Sequence, residues 1–356
     1  MSEQQVVFTN DICRALADFA TSIGHDKLFI LFDETTRQLC QSVVQPFIDA
    51  YEAEHAGRKV TLIGIPATDE AKTVESLTQV WSGLSANGAT RHSLLINVGG
   101  GMVTDLGGFA ASTFKRGISY INVPTTLLSM VDASVGGKTG FNFRGLKNEI
   151  GVFNNANSVI LDTTFLKTLD EENILSGYAE MLKHGLIADE KMWATLMNFD
   201  VEQPDLRELG KMVAESVAVK QRIVTEDPTE KGIRKALNLG HTMGHAFESL
   251  ALQRTPVLHG YAVAWGLICE LYLSAVKTGF PTDKMHQTVR FIQEHYGKMD
   301  ITCDDYPTLL ELMTHDKKNV AGVINFTLLG GIGDIRINQT ATKEEIFEAL
   351  DFYREG

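Results

Sequence analysis

The chain has 356 residues, 44% apolar and 22% charged, a composition typical of a globular protein with about two domains. Its formal net charge of −13 argues against nucleic acid or an anionic membrane as the main partner. The sequence shows no signal peptide and no apolar run of about 18 residues, so we expect a cytoplasmic protein. The cysteines are scattered without a C-x-x-C motif, which predicts buried free thiols at Cys13, Cys40, Cys269 and Cys303.

Strand-like and helix-like segments alternate up to about residue 165. Helix-like segments at 35–55 and 69–86 separate near-continuous apolar runs at 27–32, 59–65, 93–98, 118–123 and 158–162. This pattern predicts an α/β domain with a parallel sheet that is covered on both faces. Ligands of such sheets bind outside the carboxyl ends of the strands, which places Asp33 and the Gly99-Gly100-Gly101 turn at the binding edge.

Three features at predicted strand ends suit a dinucleotide. The triplet Gly99-Gly100-Gly101 precedes a helix-like segment, where backbone N–H groups can approach a pyrophosphate. Asp33 can bind a ribose hydroxyl or simply cap a helix, and Thr125-Thr126 follow another strand. The triplet is not a G-x-G-x-x-G fingerprint, and alone it is more often a tight turn. A dinucleotide site explains the three features together better than three unrelated turns do.

Residues 131–140 form the most unusual segment, because their glycines break both helical and strand periodicity. Lys138 lies in this segment, Lys147 follows it and Arg116 precedes it, in an otherwise acidic chain. Cations on a glycine-rich loop suit a phosphate or a carboxylate. The alternative is that these are ordinary solvated surface lysines.

From near Leu169 the pattern becomes mainly helical. A single helix over 230–252 would place Asn238, His241 and His245 on one face. Gly240 and Gly244 would form a second row, where another backbone or a ligand can come close. A bare H-x-x-x-H pair is also compatible with satisfied core or surface histidines.

Other residues of this half extend the histidine pattern. Glu180 and Lys183 share a helix face at i,i+3, a spacing that usually marks a solvated ion pair, and His259-Gly260 opens a helix-like run to residue 277. Glu180, His241 and His259 together supply the two-histidine, one-carboxylate set of a catalytic zinc site. A strand pair near 323–328 and 334–337 and a terminal helix at 342–353 complete the chain.

Eight motifs in a fixed order resemble the 3-dehydroquinate synthase family of sugar phosphate cyclases, from about Asp33 to Gly333. In chain order they are G-G-G-x-x-x-D, P-T-T, D-A-S-V-G-G-K-T-G, L-K-N, G-Y-A-E-M-L-K, L-N-L-G-H-T-M-G-H-A, H-G and D-K-K. The resemblance implies an α/β NAD-binding domain with a parallel Rossmann-like sheet over 1–169. It implies a mainly α-helical domain that binds metal and substrate over 170–356.

The resemblance also implies a role for individual residues. The metal ligands would be Glu180, His241 and His259. Substrate binding and catalysis would involve Arg116, Asp132, Lys138, Asn148, Lys183, Lys220, Glu230, Arg234, Asn238 and His245, with one of Lys317 and Lys318. Among these, Glu230 and His245 match proton-transfer positions. NAD contacts would fall at Asp33, Asp69, Lys72, Gly99, Gly100, Gly101, Asp105, Thr125, Thr126, Lys138, Lys147, Phe165 and Thr168.

The implied reaction converts 3-deoxy-D-arabino-heptulosonate 7-phosphate to 3-dehydroquinate and phosphate, the second step of the shikimate pathway. It proceeds through transient oxidation by NAD+, phosphate elimination, re-reduction and aldol closure, and it requires one divalent ion, Zn2+ or Co2+. Arg116 matches a residue that the neighbouring subunit contributes, which implies a homodimer.

Two positions depart from the family pattern: Asp69 stands where a glutamate is common, and Tyr261 follows His259-Gly260 in place of another glutamate. The alternatives are a sister cyclase acting on another sugar phosphate, a metal-dependent NAD alcohol dehydrogenase and, least favoured, a nucleotide-binding regulatory module.

Overall fold

A computed structural model describes residues 4–55, 57–144, 146–314 and 323–356. The chain forms two compact units, Met1–Asp170 and Glu171–Gly356. The first is α/β and the second is mostly helical, so the predicted fold class is confirmed, while the ligands assigned to each unit remain predictions. Lys317 and Lys318 of the D-K-K motif lie outside the described residues.

Buried apolar runs give the first unit its six-stranded parallel sheet. The strands are β1 (Gln5–Phe8), β2 (Leu28–Asp33), β3 (Thr61–Ile65), β4 (Leu94–Gly99), β5 (Ser119–Pro124) and β8 (Ser158–Leu161), in the spatial order β1-β8-β5-β4-β2-β3. Every residue of β2, β4 and β8 is buried, as expected for strands covered on both faces. Gly99 pairs with Pro124, so the carboxyl ends of β4 and β5 meet at one edge.

The helices of this unit are α1 (Ile12–Ile23), α2 (Glu34–Glu54), α3 (Val74–Ala86) and α4 (Gly101–Thr113). The continuous helix predicted over 69–86 is wrong at its start, where a 3-10 turn at Asp69–Ala71 precedes α3. This break leaves Lys72 between the two segments, with its side chain buried. The elements β1 and α1 were not predicted; β1 is only four residues long and partly exposed, so its apolar signal is weak.

The glycine-rich segment 131–140 is not a single loop: it begins in a π-helical turn and its last three residues belong to a β-hairpin, which corrects that prediction. A π-helical turn at Ser129–Ala133 leads through a turn to the antiparallel pair β6 (Lys138–Phe143) and β7 (Leu146–Phe153). A Cβ on Gly140 would lie 2.5 Å from the Ile150 carbonyl oxygen. The glycines that obscured the strand periodicity therefore allow the close approach of the two strands.

The second unit is built mainly from helices. They are α5 (Glu171–Ala188), α6 (Glu190–Met197), α7 (Leu206–Glu226), α8 (His241–Leu252), α9 (His259–Thr278), α10 (Thr282–Tyr296), α11 (Tyr306–Thr314) and α12 (Lys343–Glu355). Strands β9 (Asn325–Gly331) and β10 (Asp334–Thr340) form the predicted strand pair, which is antiparallel. Across the described ranges, no helix combines the length and apolarity that crossing a membrane requires.

The single helix predicted over 230–252 is wrong. A 3-10 helix at Ile233–Asn238 ends before Gly240, whose φ of 79° is left-handed, and α8 begins at His241. Asn238 therefore lies outside the helix that carries His241 and His245. The predicted close approach at Gly244 is confirmed, because a Cβ there would lie 3.0 Å from the Ala262 carbonyl oxygen in α9.

The four cysteines are free thiols, but the prediction that all of them are buried is wrong. Cys40 and Cys269 are buried, Cys13 is partly exposed and Cys303 is exposed. Burial raises the pKa of the Cys40 thiol to about 11, which suits an unreactive core residue.

Candidate functional site

The carboxyl edge of the sheet carries the residues predicted to bind a dinucleotide. Asp33 ends β2 and caps α2, since its carboxylate accepts a 2.7 Å hydrogen bond from the Thr36 N–H. Gly99 ends β4, Gly100 caps α4 and Gly101 is the first residue of that helix. The amino end of α4 therefore lies at the carboxyl edge of the sheet and is formed by glycines, an arrangement that favours binding of a pyrophosphate.

Two threonines predicted to contact the nucleotide follow β5 at the same edge. The Thr125 N–H donates to the Gly99 carbonyl oxygen at 3.0 Å. A Cβ on Gly100 would lie 3.2 Å from the Thr126 methyl carbon, so Thr126 sits directly beside the α4 cap. Thr168 donates its hydroxyl to the Phe165 carbonyl oxygen at 2.7 Å, and Phe165 is buried.

A buried lysine, Lys72, contacts two other predicted residues. The Lys72 ammonium contacts the Asp105 carboxylate at 2.5 Å and the Asn148 side-chain oxygen at 2.6 Å. Asn148 was predicted as a substrate contact, but it accepts a hydrogen bond from Lys72, which was predicted to contact NAD. Lys147 forms a 2.9 Å ion pair with Asp69, so the shorter carboxylate at that departure from the family pattern has a cationic partner.

The remaining predicted residues of the first unit are partly or fully exposed. Lys138 is exposed at the start of β6, and Asp132 is partly exposed in the π-helical turn. Arg116 is exposed after α4 with a left-handed φ of 69°. Such a conformation is uncommon for a residue other than glycine.

The three predicted metal ligands converge from three helices of the second unit. Glu180 lies in the middle of α5, His241 begins α8 and His259 begins α9. The Glu180 Oε1 atom is 3.2 Å from His241 Nε2 and 3.5 Å from His259 Nε2. Ligand atoms bound at about 2.0–2.1 Å to a tetrahedral ion lie roughly 3.3 Å apart, so these separations suit one shared ion.

The surroundings of Glu180 are consistent with the same fit. The carboxylate is fully buried, and its Oε1 atom faces the Nε2 atoms of both histidines. A buried carboxylate requires cationic or hydrogen-bonding partners. Lys183, one turn further along α5, is also buried and contacts Glu180 Oε2, so the predicted pair is not the solvated one that its spacing usually marks.

The protonation states of these groups follow from their neighbours. Burial by itself raises the pKa of Glu180, but Lys183 and His241 hold that pKa well below its usual range. Burial lowers the pKa of His241 to about 4, which leaves a neutral imidazole suited to a metal. Burial also opposes the charge on His259, but Glu248 and Glu180 raise its pKa to about 10, so a metal ion would have to displace a proton from this ring.

Hydrogen bonds on the far side of each ring orient the two histidines. His241 Nδ1 lies 3.0 Å from the Leu239 carbonyl oxygen, and His259 Nδ1 lies 3.4 Å from Glu248 Oε2. A partner on Nδ1 fixes the tautomer that presents Nε2 to an ion. Sequence analysis missed Glu248, although its position three residues after His245 in H-x-x-x-H-x-x-E places it on the same helix face.

Other predicted residues lie in the same unit. His245 is partly exposed, with its ring centroid 5.4 Å from that of His241 and 6.0 Å from that of His259. The Asn238 amide donates to Glu230 at 2.9 Å.

Two further cations of the second unit, Arg234 and Lys220, are buried. Arg234 donates to the Pro228 carbonyl oxygen at 2.7 Å. Tyr261, the second departure from the family pattern, packs against Tyr296 with ring centroids 5.3 Å apart.

Comparison with known proteins gives matches over most of the chain. Residues 62–176 match the family described as 3-dehydroquinate synthase N-terminal, and residues 177–319 match 3-dehydroquinate synthase C-terminal. A 3-dehydroquinate synthase of Parabacteroides distasonis is 55% identical, covering 100% of this chain and 99% of the relative.

Solved structures also resemble the chain over nearly its whole length. A 2-epi-5-epi-valiolone synthase from Streptomyces hygroscopicus subsp. jinggangensis 5008, with NAD+ and Zn2+ bound, has a TM-score of 0.86 at 26% identity and covers 100% of this chain and 98% of its own. A 2-deoxy-scyllo-inosose synthase with carbaglucose-6-phosphate, NAD+ and Co2+ has a TM-score of 0.80 at 24% identity, with coverages of 99% and 96%. The second likeness shows the fold alone.

Proposed function

The chain belongs to the 3-dehydroquinate synthase family, and from that membership we infer its reaction and the residues that carry it. It converts 3-deoxy-D-arabino-heptulosonate 7-phosphate to 3-dehydroquinate and phosphate, with NAD+ and one divalent metal ion as cofactors. The observation that carries this assignment is the full-length similarity at 55% identity to a 3-dehydroquinate synthase. A sister cyclase is not favoured, since the 2-epi-5-epi-valiolone synthase is 26% identical against 55% for the 3-dehydroquinate synthase. An alcohol dehydrogenase is not favoured either, since the iron-containing alcohol dehydrogenase from Thermococcus thioreducens is 18% identical.

Glu180, His241 and His259 would hold the metal ion, Zn2+ or Co2+. Their spacing and the burial of the Glu180 carboxylate support this proposal. A divalent ion held there would supply Lewis-acid polarisation of a substrate hydroxyl, and a bound nicotinamide would supply reversible hydride transfer. Two histidines and a carboxylate leave an open position for the substrate oxygen.

The cations of the second unit would hold the acidic groups of the sugar phosphate. Lys183, Lys220 and Arg234 lie in this unit, and ammonium and guanidinium groups are the usual partners of phosphate and carboxylate groups. The planar guanidinium of Arg234 suits bidentate binding of a carboxylate or phosphate. His245, one turn after His241, would move a proton, and Glu230 with its bonded Asn238 would assist it.

The first unit would bind NAD+ at the carboxyl edge of its sheet. The pyrophosphate would lie at Gly99, Gly100 and Gly101, beside Thr125 and Thr126. Asp132, Lys138 and Asn148 would be the substrate contacts from this unit. Because the oxidation is reversed within one catalytic cycle, NAD+ must stay bound, which requires a site with several anchoring contacts.

Replacing Lys72 by alanine is expected to weaken NAD+ binding about tenfold. The change leaves Asp105 and Asn148 without the buried ammonium that contacts both of them, so the predicted NAD+ contact at Asp105 loses its support. Titration calorimetry with NAD+ measures the effect. The exposed Lys59 supplies the control, since Lys59→Ala should bind NAD+ as the wild type does. If Lys72→Ala and the wild type bound NAD+ with equal affinity, Lys72 would have no role in NAD+ binding.

We propose that the enzyme is a cytoplasmic homodimer in which Arg116 reaches the partner's site. Arg116 is exposed, as such a role requires. The hairpin also leaves Phe143, Ile150, Val152 and Phe153 36–42% exposed, an apolar group that a second copy of the chain can cover.

Subunit complementation tests this arrangement. Arg116→Ala and His241→Ala are each expected to be nearly inactive, but a heterodimer of the two contains one site with both native residues. Refolding them together at equal amounts should restore about a quarter of wild-type activity, because about half of randomly formed dimers are mixed. A mixture no more active than its components would contradict the exchange of Arg116 between subunits.

The reaction itself is tested with purified protein, catalytic NAD+, a divalent cation and the heptulosonate phosphate. Phosphate release in large excess over NAD+, with no net rise in NADH absorbance, is expected. Accumulation of NADH in step with substrate consumption would identify a dehydrogenase instead.

A further inference from the structure

A buried carboxylate from α9 caps the start of α8. Glu270 is fully buried within the apolar face of α9. Its oxygens accept hydrogen bonds from three backbone N–H groups, those of Gly240 at 2.6 Å, Thr242 at 2.9 Å and Met243 at 3.1 Å. The residue in the N-cap position of α8 is Gly240, which has no side chain to satisfy these donors. Glu270 therefore does from a neighbouring helix what an N-cap side chain normally does locally.

Glycines allow this contact, because they bring the two helices unusually close. Gly266 lies one turn before Glu270 in α9, and a Cβ on it would be 2.0 Å from the Gly240 carbonyl oxygen and 2.6 Å from the Gly244 nitrogen. Backbone thus packs on backbone at this crossing. The close crossing limits the separation of α8 and α9, while the three hydrogen bonds to Glu270 fix the position of the first turn of α8.

The first turn of α8 and the first turn of α9 both carry proposed metal ligands. His241 begins α8, and its neighbours in sequence on both sides donate to Glu270. Its Nε2 atom is 3.2 Å from Glu180, and its ring centroid is 5.5 Å from that of His259, the first residue of α9. Helix ends fray when their N–H groups are not satisfied. A loose first turn would move His241 by more than the roughly 0.5 Å that a metal site tolerates.

We propose that Glu270 is a positioning residue of the metal site, which holds His241 at the distance from Glu180 and His259 that one ion requires. This inference rests on the proposed metal site and deepens it. Three converging donors match the acceptor-only character of an ionised carboxylate. Glutamine keeps the size of the side chain but replaces one acceptor oxygen with a donor, which would face a backbone N–H of α8.

The test measures the zinc affinity of the full-length protein by competition with a chromophoric chelator. Glu270→Gln is expected to raise the Kd for Zn2+ about 10- to 100-fold, the usual range for a residue that orients a metal ligand. Glu270→Asp keeps the charge but reaches less far, so it should fall between Glu270→Gln and the wild type. Zinc-saturated Glu270→Gln should recover much of its activity, because the residue does not touch the substrate in this proposal.

Ser274→Ala is the matched control, since Ser274 is buried on the same helix, one turn after Glu270. Its hydroxyl donates to the Glu270 carbonyl oxygen at 2.6 Å and accepts from the Leu329 N–H at 3.1 Å, so it serves the packing of β9. This variant should lower the thermal stability of the apoprotein and leave the zinc Kd unchanged.

A zinc Kd of Glu270→Gln within twofold of the wild type would overturn the proposal, and so would an equal loss of affinity in Ser274→Ala. If both Glu270 variants fail to fold while Ser274→Ala folds, the residue serves the fold as a whole and the proposal is likewise overturned. Wild-type protein that binds no zinc would instead overturn the proposed metal site, and this separates the two failures.

Discussion

His241→Ala is expected to lose the metal ion and the activity together. The substitution leaves Glu180 and His259 as the only proposed ligands from this chain, and two ligands do not hold a catalytic ion tightly. The ion contributes several kcal/mol of charge stabilisation, and at about 1.4 kcal/mol per factor of ten this corresponds to a loss of roughly 10³-fold or more in kcat/KM. Metal content by atomic emission and phosphate release are the two measurements.

His245→Ala separates metal binding from proton transfer. His245 follows His241 by one turn of α8, with the two ring centroids 5.4 Å apart, but it is not one of the three proposed ligands. We expect this variant to retain about one ion per chain and to lose about 10²- to 10⁴-fold in kcat, the usual contribution of a general acid or base. Retention of the ion by His241→Ala as well would show that the metal is held elsewhere.

The sequence was sufficient to predict the sheet edge and the convergence of Glu180, His241 and His259, for a specific reason. Side chains that can bind a metal are few in chemical type, and the motifs around these three residues can be recognised without knowledge of packing. Likewise the buried strands β2 and β4 are continuous apolar runs that end at Asp33 and Gly99, and parallel strands bring such ends together.

What the sequence did not reveal depends on contacts between distant segments. The helix predicted through Gly240 is broken there because Glu270, 30 residues away, satisfies the N–H groups of a new helix start. In the sequence Glu270 is only a charge that interrupts an apolar run, and nothing local assigns it a partner. The hairpin around Gly140 was missed in the same way, because the strand that requires a glycine there comes later in the chain.

Gly266→Ala is expected to destabilise the second unit by about 3 kcal/mol or more, which corresponds to a fall in Tm of roughly 6–12 °C. The new methyl group would meet the Gly240 carbonyl oxygen at 2.0 Å and the Gly244 nitrogen at 2.6 Å. Both contacts are with backbone, so no side chain can rotate away, and α8 and α9 must separate. Thermal unfolding followed by circular dichroism measures the loss.

Gly331→Ala controls for the general effect of replacing a glycine in the same unit. Gly331 ends β9, its φ is not left-handed, and no atom of the described residues lies within 4 Å of an added Cβ. Alanine there should change the Tm by no more than about 2 °C. If Gly266→Ala matched this control, α8 and α9 would not cross at the separation seen here. Since His241 and His259 begin these two helices, the spacing of the proposed ligands would then have to be set by α5 rather than by the glycine contact.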